Sequence, residues 1–394
     1  MQNSKPRLIL FIACCMFLAF GMFNAAIGPV LGELAANTNS TLVMVGGVIT
    51  FLFLGSLAAQ LIAGPITDKI GLRVVVLASL LLVAFGLPAF TNVRSYPLML
   101  ALVLITGLGQ GGIDLSANLM VSGAYPKNTT PMLNLLHFFF GLGAFFGPAL
   151  VGLSIAATGS GMIIQWVASG IFLLLAFIVF GMRDGNPPAS TISSVQPAEV
   201  TGQKSVYLSP FMWVIGLLIL IYVGAEYGLG SWATRYMGLT AGMAEQNGAL
   251  VTSAYWGALT LGRLAGAAAS RRLDRTRLLG IALIGSFIGT LGLILSPDSV
   301  LLTIIFIIVT GFSFGTIYPT SVAVTVAQFP NNQGKAVGLL AALGSIGGLT
   351  LPWLAGILLE TVSPLVYGIF LFISVVILLL LLFALGKLKK EPIQ

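Results

Sequence analysis

The chain has 394 residues, of which 57% are hydrophobic and only 7% charged, and its mean hydropathy is +1.04. Ordinary soluble domains carry about 25% charged residues to cover their surface, so this composition excludes a water-soluble globular protein and makes lipid the solvent for most of the chain. Eighteen Lys/Arg against eleven Asp/Glu leave a net charge of +7, which in a membrane protein reports orientation and not nucleic-acid binding.

The first apolar run, 8–31, follows Lys5 and Arg7 and is too long for the core of a secretory signal. It lacks a convincing cleavage site and reads as a retained first membrane helix. Cys14 and Cys15 stand side by side within it; helical neighbours point to different faces, so they are packing residues and not a disulfide. A bilayer-crossing helix needs about 20 mostly apolar residues. Eleven further runs meet that need, near 42–62, 72–92, 96–121, 132–156, 162–181, 210–236, 246–268, 278–296, 299–325, 334–359 and 364–386. Twelve spans place both termini on one side. Sixteen of the eighteen Lys/Arg, among them Arg73, Arg263, Arg271, Arg272, Arg275 and Arg277, fall on that side, and only Arg94 and Arg235 on the other. The positive-inside rule then makes both termini cytoplasmic, in a cell (inner) membrane.

The longest polar interval, 182–209, contains Asn186-Pro187-Pro188 and a Ser/Thr-rich stretch. Such composition buries no core and makes a flexible linker between six-helix halves at 1–181 and 210–394. The halves are weakly alike: Gly107 and Gly111 of span 4 have counterparts in Gly311 and Gly315 of span 10, and Gly143 and Gly147 of span 5 in Gly344 and Gly348 of span 11. Two pseudo-symmetric six-helix bundles in an all-α polytopic membrane protein are the architecture of major facilitator transporters. Between spans 2 and 3, Gly64-Pro65-Ile66-Thr67-Asp68-Lys69-Ile70-Gly71-Leu72-Arg73 resembles that superfamily's loop signature. It implies a tight cytoplasmic turn in which an acid and bases bridge helix ends as a gate. The other half repeats the theme from Gly262-Arg263 to Asp274-Arg275.

Ionisable residues at mid-membrane cost about 2.5–3.5 kcal/mol on insertion scales and are candidates for function. Asp114 lies deep in span 4 with no basic residue in its own span, and Glu226 lies in span 7. Burial disfavours the charged form of a carboxyl, which suits a cation-coupling group; both acids suit a proton or, as oxygen ligands, sodium. Glu33 and Glu360, at the external ends of their spans, read as solvated helix ends. His137, the only histidine, sits about one helical turn after Asn134 on the same face. Gln110, Asn118, Asn134, His137, Tyr222, Tyr255 and Tyr318 supply hydrogen-bonding groups, and Trp232, Trp256 or Trp353 aromatic faces, of the kind that bind a polar neutral solute. No nucleophile elbow, phosphate loop or metal-binding His pair is present, so neither an enzyme, a cofactor nor a metal site is expected.

Three motifs narrow the resemblance. Span 4 reads Gly107-Leu108-Gly109-Gln110-Gly111-Gly112-Ile113-Asp114 and continues to Asn118, span 5 opens Leu133-Asn134-Leu135-Leu136-His137, and span 7 carries Tyr222 through Glu226 to Trp232. Together they resemble the fucose permease branch of the major facilitator superfamily, which also contains sodium-dependent glucose transporter-like proteins. The resemblance implies proton coupling at Asp114, a cavity-facing Asn118, and a sugar-contact position at His137. It also implies a second acid where this chain has Ala25, and an amide where it has Glu226, so a second carboxylate is relocated to span 7. The expectation is a symporter of a sugar or related small polar solute, coupled to proton or sodium, monomeric, without cofactor. Two alternatives stand beside it: a proton-coupled exporter of drugs or metabolites, and a solute-binding membrane receptor without transport.

Overall fold

The computed structural model describes residues 4–127, 129–182, 206–296, 299–330 and 332–388; the side chains of 4, 5, 63–65, 68, 129–131, 333 and 334 also lie outside the description. The expected linker, 182–209, is outside the described residues except at its two ends. The chain divides into two compact units, Met1–Gln196 and Pro197–Gln394.

The first unit holds α1 (Ser4–Asn37), α2 (Gly47–Ile70), α3 (Leu72–Asn92), α4 (Tyr96–Ala124), α5 (Thr129–Thr158) and α6 (Ile163–Gly181). The second holds α7 (Pro210–Ala241), α8 (Glu245–Ala269), α9 (Arg275–Leu295), a two-piece α10 (Val300–Phe314 and Ile317–Gln328), α11 (Gln333–Ile357) and α12 (Pro364–Leu388). Eleven stretches among the described residues are long and apolar enough to cross a bilayer. The twelfth helix, α8, has the length, at 25 residues, but its Gly, Ala, Ser and Thr content and Arg263 make it less apolar. In lipid every backbone polar group needs an internal partner, which long helices supply. The outward surface is apolar: Phe177 is 73% exposed and Phe383 66%, orientations that water would penalise and acyl chains favour.

Helix ends follow local chemistry. Asp274 caps α9, its Oδ2 accepting from the backbone N–H of Thr276 (3.1 Å) and Arg277 (3.3 Å). Gly242 ends α7 in the left-handed region at φ 59°. The signature between spans 2 and 3 is less of a loop than its sequence suggests. The α2 helix runs through it to Ile70, and the turn is Gly71 alone, at φ 87°.

Both units are assembled in the same way: α1 packs most extensively on α5 as α7 does on α11, α2 on α4 as α8 on α10, and α3 on α4 and α6 as α9 on α10 and α12. Small residues let these helices approach to backbone distance. Gly107 and Gly111 lie against the carbonyl oxygens of Leu52 and Ser56, and their counterparts Gly311 and Gly315 against those of Tyr255 and Leu259. Gly143 and Gly147 lie against the carbonyls of Leu18 and Met22. On α11 the equivalent contact is made by Gly347, against the Leu220 carbonyl, one residue before the Gly348 expected from sequence, while Gly344 meets the side chains of Ile219 and Val223.

Two substitutions test these seams. Gly107→Val drives a side chain into the Leu52 carbonyl and to about 3.1 Å of the Gly55 Cα, and is expected to abolish folded yield or lower the thermal midpoint in detergent sharply. Gly170→Ala meets nothing within 4 Å and should leave the midpoint unchanged or raise it, since Ala is favoured over Gly in helices by about 1 kcal/mol.

Candidate functional site

In the first unit the polar residues gather on one face of α4, where Gln110, Asp114 and Asn118 are spaced four apart. Asn118 Nδ2 donates to Asp114 Oδ1 at 3.2 Å and to the Asp114 backbone oxygen at 2.8 Å. From α2, Gln60 Nε2 donates to Asp114 Oδ2 at 3.4 Å and to Ser56 Oγ at 3.4 Å. One turn away, Asn24 Nδ2 of α1 donates to Gln110 Oε1 at 3.1 Å. Asp114 and Asn118 are half-buried, whereas Gln110 is buried. The carboxylate is thus faced by two neutral amides, and no ion pair involving it exists among the described residues. Gln60 and Asn24 are additions to the expected set. The signal was available: each is an amide inside an apolar span, and Asn24 adjoins Ala25, where the family resemblance implies an acid.

In the second unit Glu226, the seventeenth residue of the 32-residue α7, is held differently. Arg263 of α8 places NH2 3.3 Å from Glu226 Oε1, with the two side chains 23% and 5% exposed. Arg263 was expected among the cytoplasmic gate bases. The structure puts it inside α8, six residues before the helix end, because the helix continues to Ala269. Tyr255 donates to the Glu226 backbone oxygen at 2.9 Å, and Tyr222 to the Phe314 backbone oxygen at 2.9 Å. Both tyrosines are fully buried. They brace the helices around Glu226, with their hydroxyls already engaged.

The remaining expected residues are scattered. Trp232 is fully buried, and its Nε1 donates to the Pro352 backbone oxygen at 2.8 Å. Asn134 and His137 are exposed on α5, and the His137 ring stands edge-on to Phe17 with centroids 5.3 Å apart. Tyr318 is half-buried just after the break in α10. That break sits where Thr316 Oγ1 donates to the Gly262 backbone oxygen at 3.0 Å. Of the gate motif, Gly64 and Asp68 lie in the α2 backbone with side chains outside the description, Gly71 forms the turn, and Arg73 NH2 donates to the Phe180 backbone oxygen of α6 at 2.5 Å. Asp274 caps α9. Glu33 and Glu360, expected as solvated ends, have specific partners. Glu33 accepts from Ser160 Oγ (2.5 Å) and the Gly161 backbone N–H (2.9 Å). Glu360, in a π-helical turn at Leu358–Val362, takes both Arg235 Nε (2.6 Å) and NH2 (3.0 Å).

The sequence model of the Major Facilitator Superfamily matches residues 9–297 and 244–394. The chain belongs to the major facilitator superfamily. It is 23% identical over 379 residues to Sodium-dependent glucose transporter 1 of Homo sapiens, covering 88% of this chain and 72% of that protein. To Sodium-dependent glucose transporter 1A of Mus musculus it is 24% identical over 380 residues, 87% of either chain. Among solved structures, the nucleoside transporter NupG has a TM-score of 0.76 at 13% identity, covering 97% of this chain and all of that one. A bacterial homologue of the human lysosomal transporter Spinster, inward-facing and occupied, has a TM-score of 0.74 at 14% identity, over 98% and 97% of the two chains. Those structures share the fold. This major facilitator protein is therefore a multi-pass membrane transporter, and not an enzyme.

Its Glu226–Arg263 pair is open to a double-mutant cycle. Removing one partner of a buried pair strands the other charge, at a cost of about 3–5 kcal/mol. Glu226→Gln and Arg263→Gln are each expected to lower the thermal midpoint more than the double variant does. Losses that simply add would show that the two side chains are uncoupled.

Proposed function

We propose that this transporter imports a sugar or related small polar solute together with a cation, proton or sodium, by alternating access, in a cell inner membrane with both termini cytoplasmic. The observation that carries the reading is Asp114: an acid inside a membrane helix, half-buried, with the amides of Gln60 and Asn118 as the partners of its carboxylate oxygens among the described residues. An acid so placed changes its cation occupancy without stranding a partner charge, which Glu226 beside Arg263 does not. Glu226 is accordingly read as an acceptor for solute hydroxyls and Asp114 as the coupling site. The amide pair Asn24–Gln110 one turn away provides the bidentate hydrogen-bonding groups that polyols take, with Asn118 beside it. The mammalian relatives are named sodium-dependent glucose transporters, which supports a sugar and a cation. The Lys/Arg distribution supports the orientation.

Coupling requires only that cation and solute bind the two access states unequally. With Asp114→Asn the cation can no longer be held, while solute binding and exchange remain. In proteoliposomes this variant should lose concentrative uptake under an imposed proton or sodium gradient and retain counterflow. Full accumulation by Asp114→Asn would remove Asp114 from the mechanism.

A further inference from the structure

Of the five tryptophans, Trp166, Trp213 and Trp353 are exposed at 53%, 50% and 45%, in the manner of lipid-facing side chains, while Trp232 and Trp256 are buried. The two buried indoles differ in one respect. Trp232 Nε1 has its acceptor at Pro352; Trp256 Nε1 is buried and has no hydrogen-bond partner among the described residues. A buried indole N–H normally finds an acceptor, because one without it forfeits its hydration for nothing.

The place of this N–H is not arbitrary. Trp256 is the twelfth residue of the 25-residue α8, close to its midpoint. Its ring packs edge-on to Tyr227 and Tyr255, with centroids 5.6 and 5.3 Å away. Tyr227 adjoins Glu226 in sequence, and Tyr255 donates to the Glu226 backbone oxygen. Across the seam, Gly230 of α7 leaves room for the indole: a Cβ there would press on Trp256 Cζ2 and Cε2. Aromatic faces, an N–H donor unpartnered among the described residues and a carboxylate–guanidinium pair thus lie along one stretch of α7 and α8. These are the groups that recognise a polyhydroxylated ring, whose C–H faces lie on aromatics while its hydroxyls both donate and accept.

We infer that Trp256 is a solute-binding residue whose Nε1–H donates to a hydroxyl of a neutral sugar. The inference rests on the sugar reading above and adds a residue and a bond to it. A donor without an acceptor among the described residues gains its bond on binding, so the contact favours the occupied form over the empty one, the differential interaction that a transport cycle needs.

The test uses the purified full-length protein and titrations with D-glucose, L-fucose and the monodeoxy analogues of whichever sugar binds, read by intrinsic fluorescence and thermal shift. Trp256→Phe keeps an aromatic face and removes the donor. It should leave the solute-free thermal midpoint unchanged or higher, and weaken sugar binding about three- to ten-fold. One monodeoxy analogue should bind wild type that much more weakly, yet bind Trp256→Phe no more weakly than the parent sugar. Trp166→Phe should alter neither readout. If Trp256→Phe loses stability, an amber-suppressed benzothienylalanine at 256, which replaces N–H by sulfur at nearly constant shape, carries the same expectation. Unchanged sugar affinity in both variants overturns the inference and leaves the sugar reading standing. Absence of binding by wild type to either sugar overturns both.

Discussion

The close approach of helix backbones at glycine is the constraint from which the polar sites follow. Without a hydrophobic force between helices in lipid, association depends on packing and on internal hydrogen bonds. Both are short-ranged. Gly111 lies on the Ser56 carbonyl, which brings the next turn of α2, with Gln60, within 3.4 Å of Asp114 on the next turn of α4. Gly230 likewise admits the rings of Trp256 and Tyr255 against α7, and the Tyr255 hydroxyl reaches the Glu226 carbonyl. A larger residue at either glycine would widen the seam by more than a hydrogen bond can stretch. The glycines therefore position the chemistry as well as the fold.

The two units share a packing plan but differ in how they hold a carboxylate. In the first unit both oxygens of Asp114 meet amides, which are neutral and can present either nitrogen or oxygen after a simple flip. In the second unit Glu226 meets a guanidinium, which is always charged. The consequence is electrostatic: one site can gain or lose a cation at the price of rearranged hydrogen bonds, whereas the other would expose an unmatched charge to a low dielectric. Like packing plans thus give the two carboxylates unlike electrostatic surroundings.

Much of this was legible in the sequence. Span positions, the two halves and the glycine correspondence between α4 and α10 follow from apolar run lengths and spacing, properties that each residue carries by itself. What depended on a partner was not legible. Arg263 reads as a gate base because it opens the basic cluster from Gly262 to Arg275, although it lies within the expected span 246–268; its partner Glu226, on the facing helix α7, is visible in neither reading. Trp232 and Trp256 are equivalent as letters, and differ because one faces the Pro352 carbonyl. Gly347 meets the Leu220 carbonyl at the α7 contact because the register of two helices fixes which residues face the seam, and helix register cannot be read from composition. Gln60 could have been found by asking for amides, and not only acids, within apolar spans.

Contacts at the ends of the helices bear on how a unit holds together. Glu33, near the end of α1, ties to the turn before α6, and Arg235, near the end of α7, ties to Glu360 beyond α11. A partly exposed ion pair contributes little, about 0–1 kcal/mol, and the Arg235 side chain is 41% exposed. These ties cannot rival the glycine seams as a source of stability. Their geometry is nonetheless restrictive: the Arg235–Glu360 contact is bidentate, which specifies orientation as well as distance. The π turn at Leu358–Val362 inserts an extra residue into the helix, a distortion with a cost of its own, at the point where Glu360 meets the arginine. Packing therefore determines which helices pair along their length, and the end contacts determine their axial register. A unit constrained in both ways resists both the splaying and the sliding of its helices.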